Sequence, residues 1–352
     1  MTTKYFNTLV FVGRMQPFHI GHKAVIDRAL ELAHEVVIVL GSANQARSTK
    51  NPFTASERKQ MISSVYADEY NYLGAQGRIK QPRVQIVEVM DYPYDDNAWV
   101  SAVQNSVNSV KTIHDPNLVT GLIGHSKDHS SYYLKIFPDW RKHVEVDNVD
   151  GINATDIRNE AYETGFFETD LIPLLTRETL SRIISPTVWE YLKEEHRSIK
   201  EYHDLWKGAP FPPTFVTTDA VLTQSGYILL IKRGGFPFKN QWALPGGYLD
   251  LGQRVEDNMI KELREETCVK VPDKVLRGSI TGRSLFDHPD RDPRGRTITH
   301  GFHVDLGYPI EKLPKVKGAD DAKEARWFHL SDVKSEMMAF DHFAIIKHFI
   351  RT

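Results

Sequence analysis

The first 42 residues limit the fold more than any other stretch. "NTLVFVGR" reads as a short buried strand that breaks at Gly13, "GHKAVIDRALELAH" carries apolar residues at helical spacing, and "EVVIVLGSA" returns to a β-rich run. The β-α-β alternation continues. A helix is expected from Thr54, which with Glu57 makes a capping box. It is followed by a strand "RVQIVEV", a helix around Trp99 to Val110, a strand "NLVTGLIG" and a strand near "KHVEVDN". Strands alternating with helices imply a parallel sheet covered on both faces. Ligands of such sheets sit beyond the carboxyl ends of the strands, where Gly13 and Gly41 to Asn44 should lie.

From about Asn159 to Trp206 the pattern is helical without strands, and "KGAPFPP" follows. Pro210, Pro212 and Pro213 cannot continue a helix, so a domain seam is expected there. Beyond it "TFVTTDAVLT", "GYILLIKR" and "THGFHVDLG" read as short strands, "VEDNMIKELREET" as an amphipathic helix and "DHFAIIKHFI" as another. This half is expected to be mixed α/β, built differently from the first. A length of 352 residues is comfortable for two domains. The expected boundaries are residues 1–185, a helical connector and Pro-rich linker at 186–212, and residues 213–352.

An ordinary globular balance, 41% hydrophobic and 26% charged residues, leaves a net charge of −2. There is no global positive field for nucleic acid or a membrane surface. An anionic ligand must therefore be gripped by a local cluster, and small phosphorylated molecules fit best. The one cysteine, Cys268, excludes an internal disulfide framework and a cysteine metal cage and favours a reducing compartment. "MTTKYFNTLVFVGR" lacks the long apolar core and cleavage site of a signal peptide, and no later run approaches about 18 apolar residues. A cytoplasmic protein is expected, with a homo-oligomer left open.

"GRMQPFHIGH" begins as the first strand ends. His19 and His22 are three apart, so both can point from the first helical turn towards the same space, and Gly21 allows a bound group to approach the backbone. A helix N-terminus is already an anion site, and two imidazoles would add donors to phosphate oxygens. A bare H-x-x-H pair is ordinarily a surface or core feature; the flanking residues decide otherwise here.

The whole stretch resembles the H-x-G-H signature of the nucleotidyltransferase superfamily, in the form G-R-x-Q-P-F-H-x-G-H of the archaeal-type nicotinamide mononucleotide (NMN) adenylyltransferases. Thr155 and Arg158 of "INATDIR" are similar to that family's T-x-x-R step, although Asn153 and Ala154 depart mildly from its usual residues. "GSANQARSTKNPFTASER" is similar to its nucleotide-binding stretch, with Arg47, Asn51 and Pro52 ahead of the helix at Thr54 and Arg58 in that helix's second turn. "DYPYDDNAW" resembles the loop that sets an aromatic residue near the nicotinamide ring, which would put Trp99 there; a core tryptophan on a helix is the other reading.

This resemblance covers roughly residues 5 to 185. It implies a reaction without a protein nucleophile, in which the 5′-phosphate of NMN attacks the α-phosphorus of ATP and pyrophosphate leaves. By the same resemblance Gly13, Arg14, His19, His22, Thr155 and Arg158 would meet the ATP phosphates, His22 foremost in the transition state. Arg47, Asn51 and Trp99 would meet NMN, and Mg²⁺ would bridge the phosphates. The chain has no G-x-x-x-x-G-K-[ST] loop and no G-x-G-x-x-G turn, which speaks against a P-loop kinase and a dinucleotide-dependent oxidoreductase.

In the second half, "KELREETCV" places Glu262, Glu265 and Glu266 on one strip of a helix, where like charges repel. A solvated acidic face, partly neutralised by Lys261 and Arg264, is one reading. A site for a hard divalent cation, which prefers carboxylate oxygens, is the other.

"WALPGGYLDLGQRVEDNMIKELREETCV" resembles the Nudix box, G-x5-E-x7-R-E-U-x-E-E-x-G-U with U aliphatic. Gly247 stands first and Glu262, Leu263, Glu265 and Glu266 keep the core. Gln253, Lys261 and Cys268 replace the first Glu, the Arg and the second Gly. A Gln253–Lys261 hydrogen bond is expected in place of an ion pair, and Cys268 is expected either to be strained in a left-handed conformation or to end the helix differently. "DHPDRDPRGRTIT" looks like the R-D-P-R-G-R loop of Nudix enzymes that cleave ADP-ribose, which assigns Arg291, Arg294 and Arg296 to that ligand; a solvent-exposed basic loop is the other reading. "GADDAKEARWFHL" is similar to the family's final strand region, with Asp320, Asp321 and Glu324 as further acids. The resemblance covers about residues 213 to 350 and implies Mg²⁺, with Mn²⁺ as the alternative, on Glu262, Glu265 and Glu266, and hydrolysis of ADP-ribose to AMP and ribose 5-phosphate.

The order of the halves resembles the bifunctional NMN adenylyltransferase/Nudix hydrolase proteins. The expected fold class is α/β, a Rossmann-like nucleotidyltransferase domain with a parallel sheet followed by a Nudix α/β/α sandwich with a mixed sheet. ATP, NMN and ADP-ribose would be the partners, without nucleic acid or membrane. Two alternatives stay open: a different phosphorylated acceptor for the first domain, and an ADP-ribose sensor with weak or no turnover for the second.

Overall fold

A computed structural model describes residues 4–67, 83–125, 134–140, 142–147, 151–308 and 312–350. The chain divides into two compact units, Met1–Lys193 and Glu194–Thr352. In the first unit β1 (Phe6–Gly13), α1 (Ile20–Leu32), β2 (Ala33–Leu40), α2 (Ala55–Val65), β3 (Val84–Glu88), α3 (Asp96–Val110), β4 (Val119–Gly124) and β5 (His143–Glu145) alternate as expected, and α4 (Ala154–Thr164) and α5 (Leu174–Ile183) follow. The five strands form one parallel sheet in the order β3-β2-β1-β4-β5.

Period-two alternation sends neighbouring residues of one strand to opposite faces. Val36 and Ile38 join a core with Val25 and Ile26 of α1 and Ile157 of α4, whereas Val37 and Val39 join another with Val103 and Val107 of α3. A sheet buried on both sides explains why β2 is apolar almost throughout. Its one acid, Glu35, is 1% exposed. Its carboxylate accepts from Thr8 Oγ1 at 2.7 Å, Gln85 Nε2 at 3.2 Å and Thr112 Oγ1 at 2.8 Å, so the buried charge is fully bonded. Sequential strands leave β1 in opposite directions, towards β2 and towards β4, which opens a crevice beyond the carboxyl end of β1.

The boundary between the units falls within α6 (Pro186–Leu205), a 20-residue helix. The second unit holds β6 (Thr214–Gln224), β7 (Tyr227–Arg233), β8 (Trp242–Ala243), β9 (Gly246–Tyr248), α7 (Val255–Thr267), α8 (Asp273–Gly278), β10 (Ile280–Phe286), β11 (Arg296–Asp305), β12 (Ala322–His329) and α9 (His342–Phe349). Its sheet runs β10-β11-β6-β7-β12, with β8 on β7 and β9 on β6. It is mixed, since β11 and β6 are parallel and the other pairs antiparallel. Met259, Ile260 and Leu263 of α7 pack on Leu222, Leu229 and Phe302 of the sheet. That fixes the rotation of α7, and so decides where its charged residues point. Among the described residues no helix is long and apolar enough to cross a membrane.

Candidate active sites

In the first unit three segments meet beyond the ends of β1 and β2: the loop at 14–19, the loop at 41–53 and the start of α4. Buried Gln16 donates to the Phe53 carbonyl and accepts from the Phe53 N–H, each at 2.9 Å. Arg58, 1% exposed, donates to the carbonyls of Arg14 (2.6 Å), Gly41 (2.7 Å) and Ser42 (3.2 Å). Arg158 donates to the carbonyls of Gln16 (2.7 Å) and Thr49 (3.1 Å) and to Thr155 Oγ1 (3.3 Å). Burial lowers both guanidinium groups to about 10, so both stay charged at neutral pH. Two buried cations therefore tie loop carbonyls together beneath the crevice, while the side chain of Arg14 is exposed at its rim.

His19 is the N-cap of α1, with extended backbone, and its ring is buried. Its Nδ1 accepts from the Gly21 N–H at 3.1 Å, and His22 Nδ1 accepts from the His19 N–H at 3.3 Å. The two histidines thus form the reciprocal cap that Thr54 and Glu57 form on α2. The rings stack with centroids 3.7 Å apart, and His22 lies on Phe18 at 5.9 Å. Because each Nδ1 is an acceptor, the proton of each neutral ring sits on Nε2, so both rings present an N–H donor away from the cap. Gly21 suits this packing, since a Cβ there would lie 3.0 Å from His19 Cε1, closer than an ordinary contact.

The remaining residues expected at this site have varied settings. Arg47 makes a two-pronged ion pair with Glu57 (2.7 and 2.8 Å) and donates to the Pro52 carbonyl at 2.7 Å. Asn51 closes a turn on Ser48, and its Oδ1 is buried without a hydrogen-bond partner among the described residues. Trp99, half-buried on α3, packs against Phe137 with centroids 5.7 Å apart. Gly13 ends β1, and its carbonyl accepts from the Gly41 N–H at 3.1 Å.

In the second unit α7 lays its acids against the strand that precedes it. Glu266 is 5% exposed, and its Oε2 accepts from the Gly246 N–H at 2.8 Å. Burial pushes its carboxyl up to about 8, and burial also raises that of Glu262. A Cβ on Gly247 would lie 2.4 Å from Glu262 Oε2, so any larger residue there would push that carboxylate from its place. Glu265 is more exposed. Lys261 Nζ sits among the acids, 2.9 Å from Asp250 Oδ2, 3.0 Å from Glu265 Oε2 and 3.3 Å from Glu262 Oε1. The hydrogen bonds it donates to Asp250 and Glu265 hold the ammonium above its usual range.

The donor set suits a hard divalent cation: carboxylate oxygens, two of them disfavoured as bare charges by burial, against a glycine cradle. Among the described residues no three acidic or histidine side chains already converge as a metal cage. The acids are gathered instead around Lys261. The expected Gln253–Lys261 hydrogen bond is replaced by the Asp250–Lys261 ion pair, because Asp250 puts a full charge within reach of the ammonium and Gln253 is exposed. Cys268 adopts the left-handed conformation, φ 48°, as the C-cap of α7.

The three arginines of "RDPRGR" separate into different roles. Arg291 is buried in a two-pronged ion pair with Asp341 (2.8 and 2.9 Å) and donates to Thr299 Oγ1 at 2.6 Å. Arg294 pairs with Asp292 at 2.8 Å and lies over the rings of Tyr248 (5.2 Å), Phe340 (5.5 Å) and Tyr202 (5.9 Å). Arg296 donates to the Asp287 carbonyl at the loop's margin. Tyr248 directly follows the two glycines that face Glu262 and Glu266, and its hydroxyl is 3.1 Å from that of Tyr202. The backbone N–H of Ala319 donates to the Glu266 carbonyl, which ties the segment with exposed Asp320 and Asp321 to the end of α7. Sequence reasoning passed over Asp250, Tyr202 and Tyr248. Asp250 had a signal, an acid two residues before Gly252 in the turn between Gly247 and Gln253; Tyr202, on α6, had none.

The cytidylyltransferase-like family matches residues 10–159, and the NUDIX domain family matches residues 213–349. A nicotinamide/nicotinic acid mononucleotide adenylyltransferase of Acinetobacter baylyi is 38% identical over 55% of this chain and 95% of its own. An ADP-ribose pyrophosphatase of Methanocaldococcus jannaschii is 37% identical over 45% of this chain and 86% of its own. The crystal structure of a bifunctional NMN adenylyltransferase/ADP ribose pyrophosphatase from Francisella tularensis, complexed with AMP and Mn ion, is 33% identical with a TM-score of 0.87. That match covers 98% of this chain and 99% of the other. Two sites, each built on its own sheet and matched by its own relatives, occur here in the order found in that structure, and the chain belongs to the family of bifunctional NMN adenylyltransferase/ADP-ribose pyrophosphatases.

Proposed function

We propose that the first unit transfers the adenylyl group of ATP to NMN, giving NAD and pyrophosphate, and that the second hydrolyses ADP-ribose to AMP and ribose 5-phosphate. The observation that carries the first activity is the histidine cap of α1. The Nε2–H groups of His19 and His22 and the helix N-terminus would meet the triphosphate oxygens as donors. His22 would stabilise the charge that develops on the α-phosphate, and exposed Arg14 would hold the phosphates from the rim. Arg158 and Thr155 would act at the floor of the crevice. The partnerless Oδ1 of Asn51 suits the amide hydrogens of a carboxamide, so Asn51 is assigned to the nicotinamide end with Arg47 and Trp99.

In the second unit Glu262, Glu265 and Glu266 would hold Mg²⁺ or Mn²⁺. A divalent ion bound there would supply an activated water and shield the pyrophosphate charge. Positive charge beside Glu266 returns its raised carboxyl to the ionised form. Arg294, framed by Tyr202 and Tyr248, would meet the nucleotide, with Arg296 beside it. Arg291 shapes the loop through Asp341. Incubation with ATP and NMN, and separately with ADP-ribose, each with and without Mg²⁺ or Mn²⁺, tests both activities by chromatography. NAD in the first and AMP in the second are expected; no NAD, or ADP-ribose left intact, contradicts the corresponding half.

A further inference from the structure

Of the acids around Lys261, Asp250 stands outside the helix and outside the residues proposed to hold the ion. Its own position is fixed from below. Asn258, 0% exposed, accepts from the Asp250 N–H at 3.0 Å and donates to Thr218 Oγ1 at 3.0 Å and the Tyr248 carbonyl at 3.1 Å. The Asp250 carbonyl accepts from the Gln253 N–H at 3.1 Å, closing the turn. From this fixed backbone the half-exposed Asp250 side chain reaches Lys261 Nζ at 2.9 Å. Position 253 is neutral and exposed.

We infer that Asp250 is a positioning residue that supplies the loop carboxylate of this Nudix box, the task for which residue 253 has no charge. The inference rests on the metal site proposed for Glu262, Glu265 and Glu266. An ammonium shared with Glu262 and Glu265 competes directly with a divalent ion for the same oxygens. Asp250 gives Lys261 a third carboxylate, so the ammonium can leave the glutamates to the ion without losing its counter-charge. Outer partners of this kind typically change metal affinity or activity by about 10- to 100-fold.

The test uses the full chain and Mn²⁺ as the probe, with bound ion counted by electron paramagnetic resonance. The site's share is the binding that Glu265→Gln abolishes. Asp250→Asn is expected to weaken Mn²⁺ binding about tenfold and to lower kcat for ADP-ribose while leaving KM within about twofold. Adding Gln253→Glu to Asp250→Asn is expected to restore both, because it returns a carboxylate to the same loop. Wild-type Mn²⁺ affinity in Asp250→Asn overturns the inference. So does a loss that Gln253→Glu does not repair, since the effect then belongs to the loop's shape and not to its charge. Mn²⁺ binding without turnover in the wild type would remove the hydrolase reading and still leave the binding comparison decisive.

Discussion

Cys268 shows how one residue can act against its conformation. At φ 48° it caps α7 in the left-handed region, where a Cβ is penalised and glycine is not. Cys268→Gly is expected to stabilise the second unit by about 0.5–1 kcal/mol, read as a raised urea midpoint without loss of activity. Glu266 has a cost of a different origin. Its folded carboxyl titrates at about 8 against an ordinary 4.5, because burial opposes the charge. The folded state therefore holds a proton that the unfolded state releases. The stability this group contributes is present below pH 4.5 and is lost as pH rises through about 8. Glu266→Gln, measured without divalent ion, is expected to flatten the fall in melting temperature across that window. An unchanged slope would show that Glu266 is not the titrating group. His19 and His22 carry no such cost: they cap α1 with the same atoms that set their tautomers.

The elements were legible in proportion to how one-sided their burial is. β1, β2, α1 and α3 stood out because a doubly covered sheet makes its central strands almost wholly apolar and its helices amphipathic. The helix "VEDNMIKELREET" coincides with α7, whose apolar stripe packs on the sheet. β10 escaped notice: "ITGRSLF" is half-exposed along most of its length and mixes Gly, Arg and Ser with its apolar residues, so it offers little periodicity. β12 was legible only by its likeness to a family. The candidate sites followed the same logic. Motif residues could be named from their resemblance to family motifs, but their partners could not, because those come from distant segments. Asp341 lies 50 residues from Arg291, and Thr49 lies 109 from Arg158. Glu35 is the clearest case of an element depending on such partners, with β1, β3 and the segment after α3 all donating to one buried carboxylate. Glu35→Ala leaves those donors without an acceptor and is expected to cost about 3 kcal/mol, seen as a lower urea midpoint of the first unit.

On the scale of the whole molecule, two chemistries with opposite demands share one chain. Adenylyl transfer needs donors aimed at phosphate in a crevice at a sheet's switch point, and hydrolysis needs acids aimed at a cation beside a glycine turn. Each unit has its own sheet, and the residues proposed for each chemistry lie on one unit. The central claim is therefore that the activities can be removed one at a time. The most direct measurement compares wild type, His22→Ala and Glu265→Gln in the same two assays, NAD from ATP with NMN and AMP from ADP-ribose. His22→Ala is expected to lower NAD formation by roughly 10²–10³-fold, the usual effect of removing one preorganised donor, and to leave AMP release within about twofold. Glu265→Gln is expected to do the reverse. Loss of both activities in either variant, or of neither, would contradict the assignment of one chemistry to each unit.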